Sequence, residues 1–254
     1  SSHRSAQHEG TPVSALIAAA MPHLMLAPIA LPLLTAALML LLREERQRLK
    51  LALNIGSTLL GLLVSIALLV WADQRGPAPS MGVYLPGNWP APFGIVLALD
   101  RLSALMLVLT STVGLASALF AAARWHRVGV YYHSLFQFQL MGLAGFALSA
   151  DLFNLFVFFE LMSVTGYGLC SFRQTSSSVL QGALNFAIIN SIGAFFILMG
   201  IALIYGRTGA LNLAQIAVAL GGSHPDGLVI VSFVLILVGF LTKAGAVPFH
   251  FWMS

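Results

Sequence analysis

Charged residues make up 8% of this 254-residue chain and hydrophobic residues 59%. Soluble globular domains average about 25% charged residues, so the composition excludes a soluble domain and indicates a chain surrounded by lipid or by other helices. The net charge of +4 comes from basic residues that are scattered or lie in short loops. They form no clustered basic face of the kind that binds nucleic acid, so no nucleic-acid partner is expected.

The predicted elements are a polar N-terminal tail over residues 1–20 and a transmembrane domain over 21–254. A helix crosses about 30 Å of hydrocarbon with roughly 20 residues. Apolar runs of about that length lie near 24–42, 51–72, 96–123, 131–149, 152–171, 180–205 and 228–253. The sequence therefore predicts an all-α membrane protein with about seven transmembrane helices.

Basic residues in the connecting loops predict the orientation of these spans. They follow the first, third and fifth spans, at Arg43, Arg46, Arg48, Lys50, Arg124, Arg127 and Arg173. The loops after the second and sixth spans hold one arginine each, Arg75 and Arg207, and the turn after the fourth holds none. Because cytoplasmic loops are enriched in Lys and Arg, the N-terminus is predicted outside the cell, with the chain in a bacterial inner membrane.

Glycines recur inside the predicted spans. Three pairs stand out: Gly142 and Gly145, Gly166 and Gly168, and Gly193 and Gly200. Small residues at helix interfaces let two backbones approach closely in a membrane. We therefore expect these positions to face neighbouring helices.

One carboxylate lies inside a predicted span. Glu160 follows an apolar segment and comes nine residues after Asp151, which places it about 14 Å into the membrane at 1.5 Å per residue. A charged side chain such as aspartate costs about 2.5–3.5 kcal/mol at the membrane centre on insertion scales. Glu160 is therefore expected to be protonated, paired or next to water.

The chain has two lysines, Lys50 in a predicted cytoplasmic loop and Lys243 in the last predicted span. Lys243 lies about 15 residues into an apolar run of 26, near Gly239, Gly245 and Pro248, and glycine and proline weaken a regular helix. Because intramembrane charges mark ion pathways by default, this lysine is a candidate proton carrier. The alternatives are a side chain that snorkels to an interface and a static ion pair.

Other polar residues in the spans are candidates for a hydrogen-bonded relay, although each alone is more often interhelical glue. His250 follows Lys243 by seven residues, which is two turns on roughly the same face if the helix continues through Pro248. An imidazole, with a reference pKa near 6.5, is suited to passing protons. The remaining candidates are His133, Gln137, Ser163 and Asn190.

No metal site and no cofactor are expected. No group of His and Cys has the spacing of metal ligands, and no glycine-rich segment resembles a phosphate-binding loop. Motifs for haem, flavin or iron–sulfur clusters are also missing from the sequence.

Two segments resemble a known family of antiporter-like membrane subunits. SADLFNLFVFFELMSVTGYGL (149–169) and LTKAGAVPFHFWM (241–253) are similar to subunits shared by respiratory complex I and by Mrp-type multisubunit cation/proton antiporters. PHLMLAPIALPLLTAALMLLL (22–42) and GNWPAPFGIVLALDRLSALML (87–107) resemble the D-type subunit of the Mrp family. The Leu-Met-Ser segment after the glutamate looks closer to the complex I and membrane hydrogenase relatives.

This resemblance implies a fold of about fourteen helices built around two inverted repeats, of which the chain would be the N-terminal half, truncated at its C-terminus. By similarity, Glu160 matches the family's glutamate in the fifth span and Lys243 its lysine in the seventh. The implied roles are a paired carboxylate and a proton-carrying ammonium.

The implied function is that of a proton-conducting subunit in a multisubunit monovalent cation (Na⁺)/H⁺ antiporter. Its partners would be other membrane subunits, the lipid bilayer, protons and Na⁺. One alternative is a proton-pumping membrane subunit of an NADH:quinone oxidoreductase or membrane hydrogenase complex, in which other subunits perform the redox chemistry. Another is a structural membrane subunit that conducts no ions.

Overall fold

The computed structural model describes residues 21–74, 82–89, 94–124, 129, 131–171, 177–222, 224, 226–250 and 252. The predicted tail over 1–20 and the predicted loop residues Arg75, Arg127 and Arg173 lie outside these ranges. The helices are α1 (Ala27–Leu41), α2 (Gln47–Gln74), α3 (Arg101–Arg124), α4 (Tyr132–Leu148), α5 (Leu152–Ser171), α6 (Ser177–Thr208), α7 (Leu213–Leu220) and α8 (Gly227–Lys243).

Four of these helices, α2, α3, α5 and α6, are long and apolar enough to cross a membrane, and α1 and α8 are shorter apolar helices. Large apolar side chains are exposed on their outward faces, for example Leu34, Leu63 and Phe195. In water such surfaces would cost free energy, whereas lipid solvates them. The chain is therefore a mostly helical membrane protein, and this part of the sequence prediction is confirmed.

A small sheet corrects the expectation of an all-α chain. Strands β1 (Gly82–Tyr84) and β2 (Leu97–Leu99) pair antiparallel, with Gly82 opposite Leu99. Each strand has three residues, which is too short for the alternation that identifies a strand in a sequence. Single bridges extend this layer from Leu97 to Ser149 and from Asp151 to Asn212, so the hairpin, the α4–α5 turn and the start of α7 meet at one end of the bundle.

The helices pack as neighbouring pairs, with α1 against α4, α2 against α3, α4 against α5, and α6 against both α5 and α8. The contact between α6 and α8 is close because glycines face it from both helices. A Cβ atom on Gly239 would lie 2.5 Å from Gly193 O, and one on Gly200 would lie 2.7 Å from Ser232 O. The expectation that Gly193 and Gly200 permit close helix approach is confirmed.

Helix α8 ends directly after Lys243 because Gly245 adopts a left-handed conformation with φ of 62°. The Gly245 N–H donates to Thr242 O at 3.2 Å and the Ala246 N–H donates to Leu241 O at 3.0 Å. These two bonds form a Schellman motif, which satisfies the last carbonyl groups of a helix. The expectation that His250 lies on the same helical face as Lys243 is therefore wrong.

The other end of α8 is capped by Asp226, which lies outside the apolar segment. Asp226 Oδ1 accepts the Val229 N–H at 3.0 Å, and Oδ2 accepts from Arg207 Nε at 2.6 Å. The pKa of this carboxyl is held below its usual value. The larger cause is the hydrogen bond from the Val229 N–H, and the next is the hydrogen bond from the Arg207 guanidinium.

A carboxyl with a lowered folded-state pKa stabilises the fold above its unfolded pKa and loses that contribution as the pH falls through the folded value. Asparagine can cap the helix but cannot form the ion pair. We therefore expect Asp226→Asn to lower the melting temperature of the purified protein at neutral pH, and the difference to disappear as the pH falls below about 4. A difference that stays constant with pH would contradict this prediction.

Candidate functional site

Helices α5 and α8 bring Glu160 and Lys243 together. Glu160 lies in the interior of α5, and Lys243 is the last residue of α8. Helix α6 packs against both of these helices, so it holds them at a set distance. The two side chains that stand out in the sequence, 83 residues apart, thus meet within the helical bundle.

Lys243 Nζ forms an ion pair with Glu160 Oε1 and also donates a hydrogen bond to Ser163 Oγ at 2.7 Å. The lysine side chain is 2% exposed and the glutamate side chain 31% exposed. Ser163 follows Glu160 by three residues, so both lie on one face of α5. The ammonium is thus deeply buried, while its carboxylate partner remains partly open at the surface of the described residues.

Aromatic rings line the lysine on one side. Lys243 Nζ lies 4.7 Å from the centroid of the Phe159 ring, and that ring packs 5.5 Å from Phe240 and 5.2 Å from Phe146. The negative face of an aromatic ring attracts a cation, and more so when both are desolvated. Sequence reasoning missed Phe159 as a contact of the lysine, although its position directly before Glu160 was an available signal.

The end of α8 also favours a cation at this position. The carbonyl groups of a helix C-terminus carry partial negative charge, which stabilises a basic side chain in the last turn. Thr242 O accepts a hydrogen bond from Trp252 Nε1 at 2.9 Å. Chemically, the arrangement holds one exchangeable proton on an amine, with a carboxylate and a hydroxyl as its neighbours.

The other candidate relay residues are not brought to this ion pair. Among the described residues, His133 and Gln137 bond to Asn54 of α2, and no hydrogen bond joins them to Lys243. The buried Asn190 side chain donates to Phe186 O of its own helix at 2.9 Å. His250 is exposed beyond the end of α8.

The prediction that Lys50 lies in a loop is wrong, because the structure places it in a helix. Helix α2 begins at Gln47 and includes Lys50 in its first turn, where the residue is 2% exposed. The exposed residues Arg43, Arg46 and Arg48 belong to the same basic run. Because Lys and Gln are good helix formers, the start of α2 within a charged run has no sharp sequence signal. Asn54, one turn later, is also fully buried and was missed.

A model of the family described as "NADH:quinone oxidoreductase/Mrp antiporter, TM" matches residues 149–254, the segment that holds Glu160, Ser163 and Lys243. A Rhizobium meliloti protein, named as a probable K⁺/H⁺ antiporter subunit of type D, is 44% identical over 234 residues, which are 91% of this chain and 43% of that protein. An Alkalihalophilus pseudofirmus protein, named as a Na⁺/H⁺ antiporter subunit of type D, is 36% identical over 236 residues, 92% of this chain and 46% of that protein.

The fold is similar to a chain in the structure of the Mrp complex from Dietzia sp. DQ12-45-1b. The TM-score is 0.82 at 32% sequence identity, and the match covers 91% of this chain and 42% of that one. The chain thus spans less than half the length of each of these three proteins. Residues 149–254 therefore belong to the NADH:quinone oxidoreductase/Mrp antiporter family of membrane proteins, and the chain is similar to the proteins named above over nine-tenths of its length.

Proposed function

We propose that this chain is a proton-conducting part of the D-type subunit in a multisubunit monovalent cation/proton antiporter, with Na⁺ or K⁺ as the exchanged cation. The names of the two relatives support antiport, since one is named for K⁺/H⁺ exchange and the other for Na⁺/H⁺ exchange. The observation that carries the proposal is the contact of Lys243 with Glu160 and Ser163 between apolar helices. A buried amine with a carboxylate neighbour is suited to binding and releasing one proton.

In the proposed mechanism, Lys243 holds the proton and Glu160 tunes how strongly it is held. Two unit charges 4 Å apart interact by about 4 kcal/mol at an effective dielectric constant near 20, and by about half of that at 8 Å. A movement of a few ångströms between α5 and α8 would therefore lower the proton affinity of the lysine. In this mechanism Glu160 is the partner that moves, because its side chain is 31% exposed whereas the Lys243 side chain is 2% exposed.

The proposal includes the finer architecture that the resemblance implies. The chain would supply about seven spans with its N-terminus outside, as the N-terminal half of a fourteen-helix fold with inverted repeats in a bacterial inner membrane. Its partners would be the remaining part of that fold and the other membrane subunits of the complex. Both relatives are named as subunits, which supports assembly into a larger complex.

The test is cation-driven proton movement in everted membrane vesicles that carry the assembled complex. We expect Glu160→Gln to lower the rate of exchange at least about tenfold, because a neutral amide cannot attract the ammonium of Lys243. Asp73→Asn is a matched control, since Asp73 forms an exposed ion pair with Arg101 at 3.0 Å. It should leave exchange unchanged.

Normal exchange in Glu160→Gln with normal assembly would contradict the proposal and favour a structural role. Exchange driven by Na⁺ and by K⁺, measured separately, identifies the cation. The family description also includes NADH:quinone oxidoreductase, which favours a redox-driven complex as the second candidate. Co-purification of the chain with quinone-reducing subunits, in place of antiporter subunits, would support that candidate.

A further inference from the structure

A second set of buried polar residues lies along α2, away from the ion pair. Lys50, Asn54, Thr58 and Ser65 are all buried. They follow one another at intervals of four, four and seven residues, which places them on one face of the helix. From Lys50 to Ser65 this face extends about 22 Å at 1.5 Å per residue, most of the roughly 30 Å of the hydrocarbon layer.

Helix α4 supplies the side chains that bond to this face. Gln137 Nε2 donates to Asn54 Oδ1 at 2.7 Å and to Thr58 Oγ1 at 3.1 Å. Asn54 Nδ2 lies 3.1 Å from His133 Nδ1, to which it donates. Lys50 lies one turn before Asn54 in α2, and Asn54 contacts His133, so Lys50 and His133 are both at the same end of the cluster.

Two further helices extend the network. Ser57 Oγ donates to Gln137 Oε1 at 3.4 Å, and Thr35 Oγ1 of α1 donates to Ser57 Oγ at 2.9 Å. On the far side, Ser65 Oγ and Ser111 Oγ of α3 form a hydrogen bond of 3.0 Å. The polar residues of α1, α2, α3 and α4 thus face one another.

A cavity of about 20 Å³ lies between the Gln137 network and the Ser65–Ser111 pair. Its polar lining includes Ser57, Thr58, Thr110, Ser111 and Gln137. A cavity needs about 10–15 Å³ and two to four polar partners to hold a water molecule. This one satisfies both conditions.

We propose that this polar column, formed by Lys50, Asn54, Thr58, Ser65, His133, Gln137 and Ser111, is hydrated and carries protons along a route that exchange requires in addition to the Glu160–Lys243 pair. Its ligands are water and the hydronium ion. The conducting role rests on the proposed function, whereas the hydration does not depend on it.

Hydroxyl groups, water and the His133 imidazole carry the proton, since each accepts one proton and releases another without net change. The amides of Asn54 and Gln137 orient these groups and carry none, because an amide does not titrate near neutral pH. Lys50 stands at the end of the column next to the exposed Arg43, Arg46 and Arg48. That end is the cytoplasmic one in the proposed topology.

Hydration is tested by the reactivity of introduced cysteines in the assembled complex with its native cysteines replaced, including Cys170→Ser. Ser57→Cys and Ser65→Cys place a thiol in the column, and Leu63→Cys places one on the exposed face of the same helix. The probe is Ag⁺, followed by denaturation and maleimide labelling of unreacted thiol. Ag⁺ reacts with the thiolate, and a thiolate forms only in a polar setting. We therefore expect Ser57→Cys and Ser65→Cys to react at least about tenfold faster than Leu63→Cys.

Equal rates at Ser57→Cys, Ser65→Cys and Leu63→Cys would show that the column is dry and would overturn the proposal. This outcome is independent of transport, so it leaves the proposed function intact. Serine and cysteine have similar size, and normal assembly of both variants is checked first.

Conduction is tested with Thr58→Val, which keeps the shape of the side chain and removes a hydroxyl group from the cavity. We expect cation-driven proton movement to fall about tenfold. Thr112→Val is the matched control, because Thr112 is exposed and its hydroxyl donates only to Val108 O of its own helix at 2.8 Å. Full exchange in Thr58→Val, together with loss of exchange in Glu160→Gln, would overturn proton conduction by the column. It would leave the proposed function of the Glu160–Lys243 pair intact.

Discussion

Lys243→Met is expected to abolish cation-driven proton exchange by the assembled complex. Methionine fills a similar volume as an unbranched apolar side chain, but it carries no proton. The Lys243 side chain is 2% exposed and contacts Glu160, Ser163 and the Phe159 ring, so no other described amine replaces it there. The measurement is the initial rate of proton movement in everted vesicles, normalised to the amount of assembled complex.

Lys243→Arg separates a proton carrier from a static ion pair. Arginine keeps the positive charge and can pair with Glu160, but its guanidinium does not deprotonate in proteins. We therefore expect the arginine variant to assemble and to lack exchange. Full exchange in Lys243→Arg would contradict the proton-carrier role and leave the pair as a structural element.

The stability of these variants can be predicted as well. Removing one partner of a buried ion pair costs about 3–5 kcal/mol, because an uncompensated charge remains. Glu160 is 31% exposed, so we expect a smaller loss for Lys243→Met. The double variant with Glu160→Gln should recover part of that loss without recovering exchange, which distinguishes damage to the fold from damage to the proton path.

Gly239→Ala is expected to lower both the stability of the protein and the rate of exchange. The added methyl group would lie 2.5 Å from Gly193 O and would also meet the side chain of Ile197. A backbone oxygen cannot move aside as a flexible side chain does, so α6 and α8 must separate. Overpacking of this kind costs about 1–3 kcal/mol. Because Lys243 lies one turn after Gly239, its contact with Ser163 would lengthen.

Gly206→Ala is the matched control for this prediction. Gly206 lies in α6, the helix against which Gly239 of α8 packs, but a Cβ atom on Gly206 would meet no atom within 4 Å. In a helix, alanine is favoured over glycine by about 1 kcal/mol, so this variant should keep or raise the melting temperature of the purified complex. Equal melting temperatures of Gly239→Ala and Gly206→Ala would contradict close α6–α8 packing.

Sequence reasoning was sufficient for features that depend on composition and on local spacing. A chain with 8% charged residues requires lipid around its helices, and that prediction is confirmed. The positions of Gly193 and Gly200 also predicted close helix packing, since a residue without a side chain lets two helix backbones approach each other. Glu160 and Lys243 were found because a charge inside an apolar run is costly and therefore rare.

The sequence alone determined that this is a mostly helical membrane protein with two unusual charges in its apolar segments. The tertiary structure decided that Lys243 meets Glu160 and Ser163, that Lys50 is buried, and that α8 ends before His250. Contacts between residues far apart in the chain depend on which helices pack together. That choice is made by the summed shape and polarity of whole helix faces, which no single motif encodes.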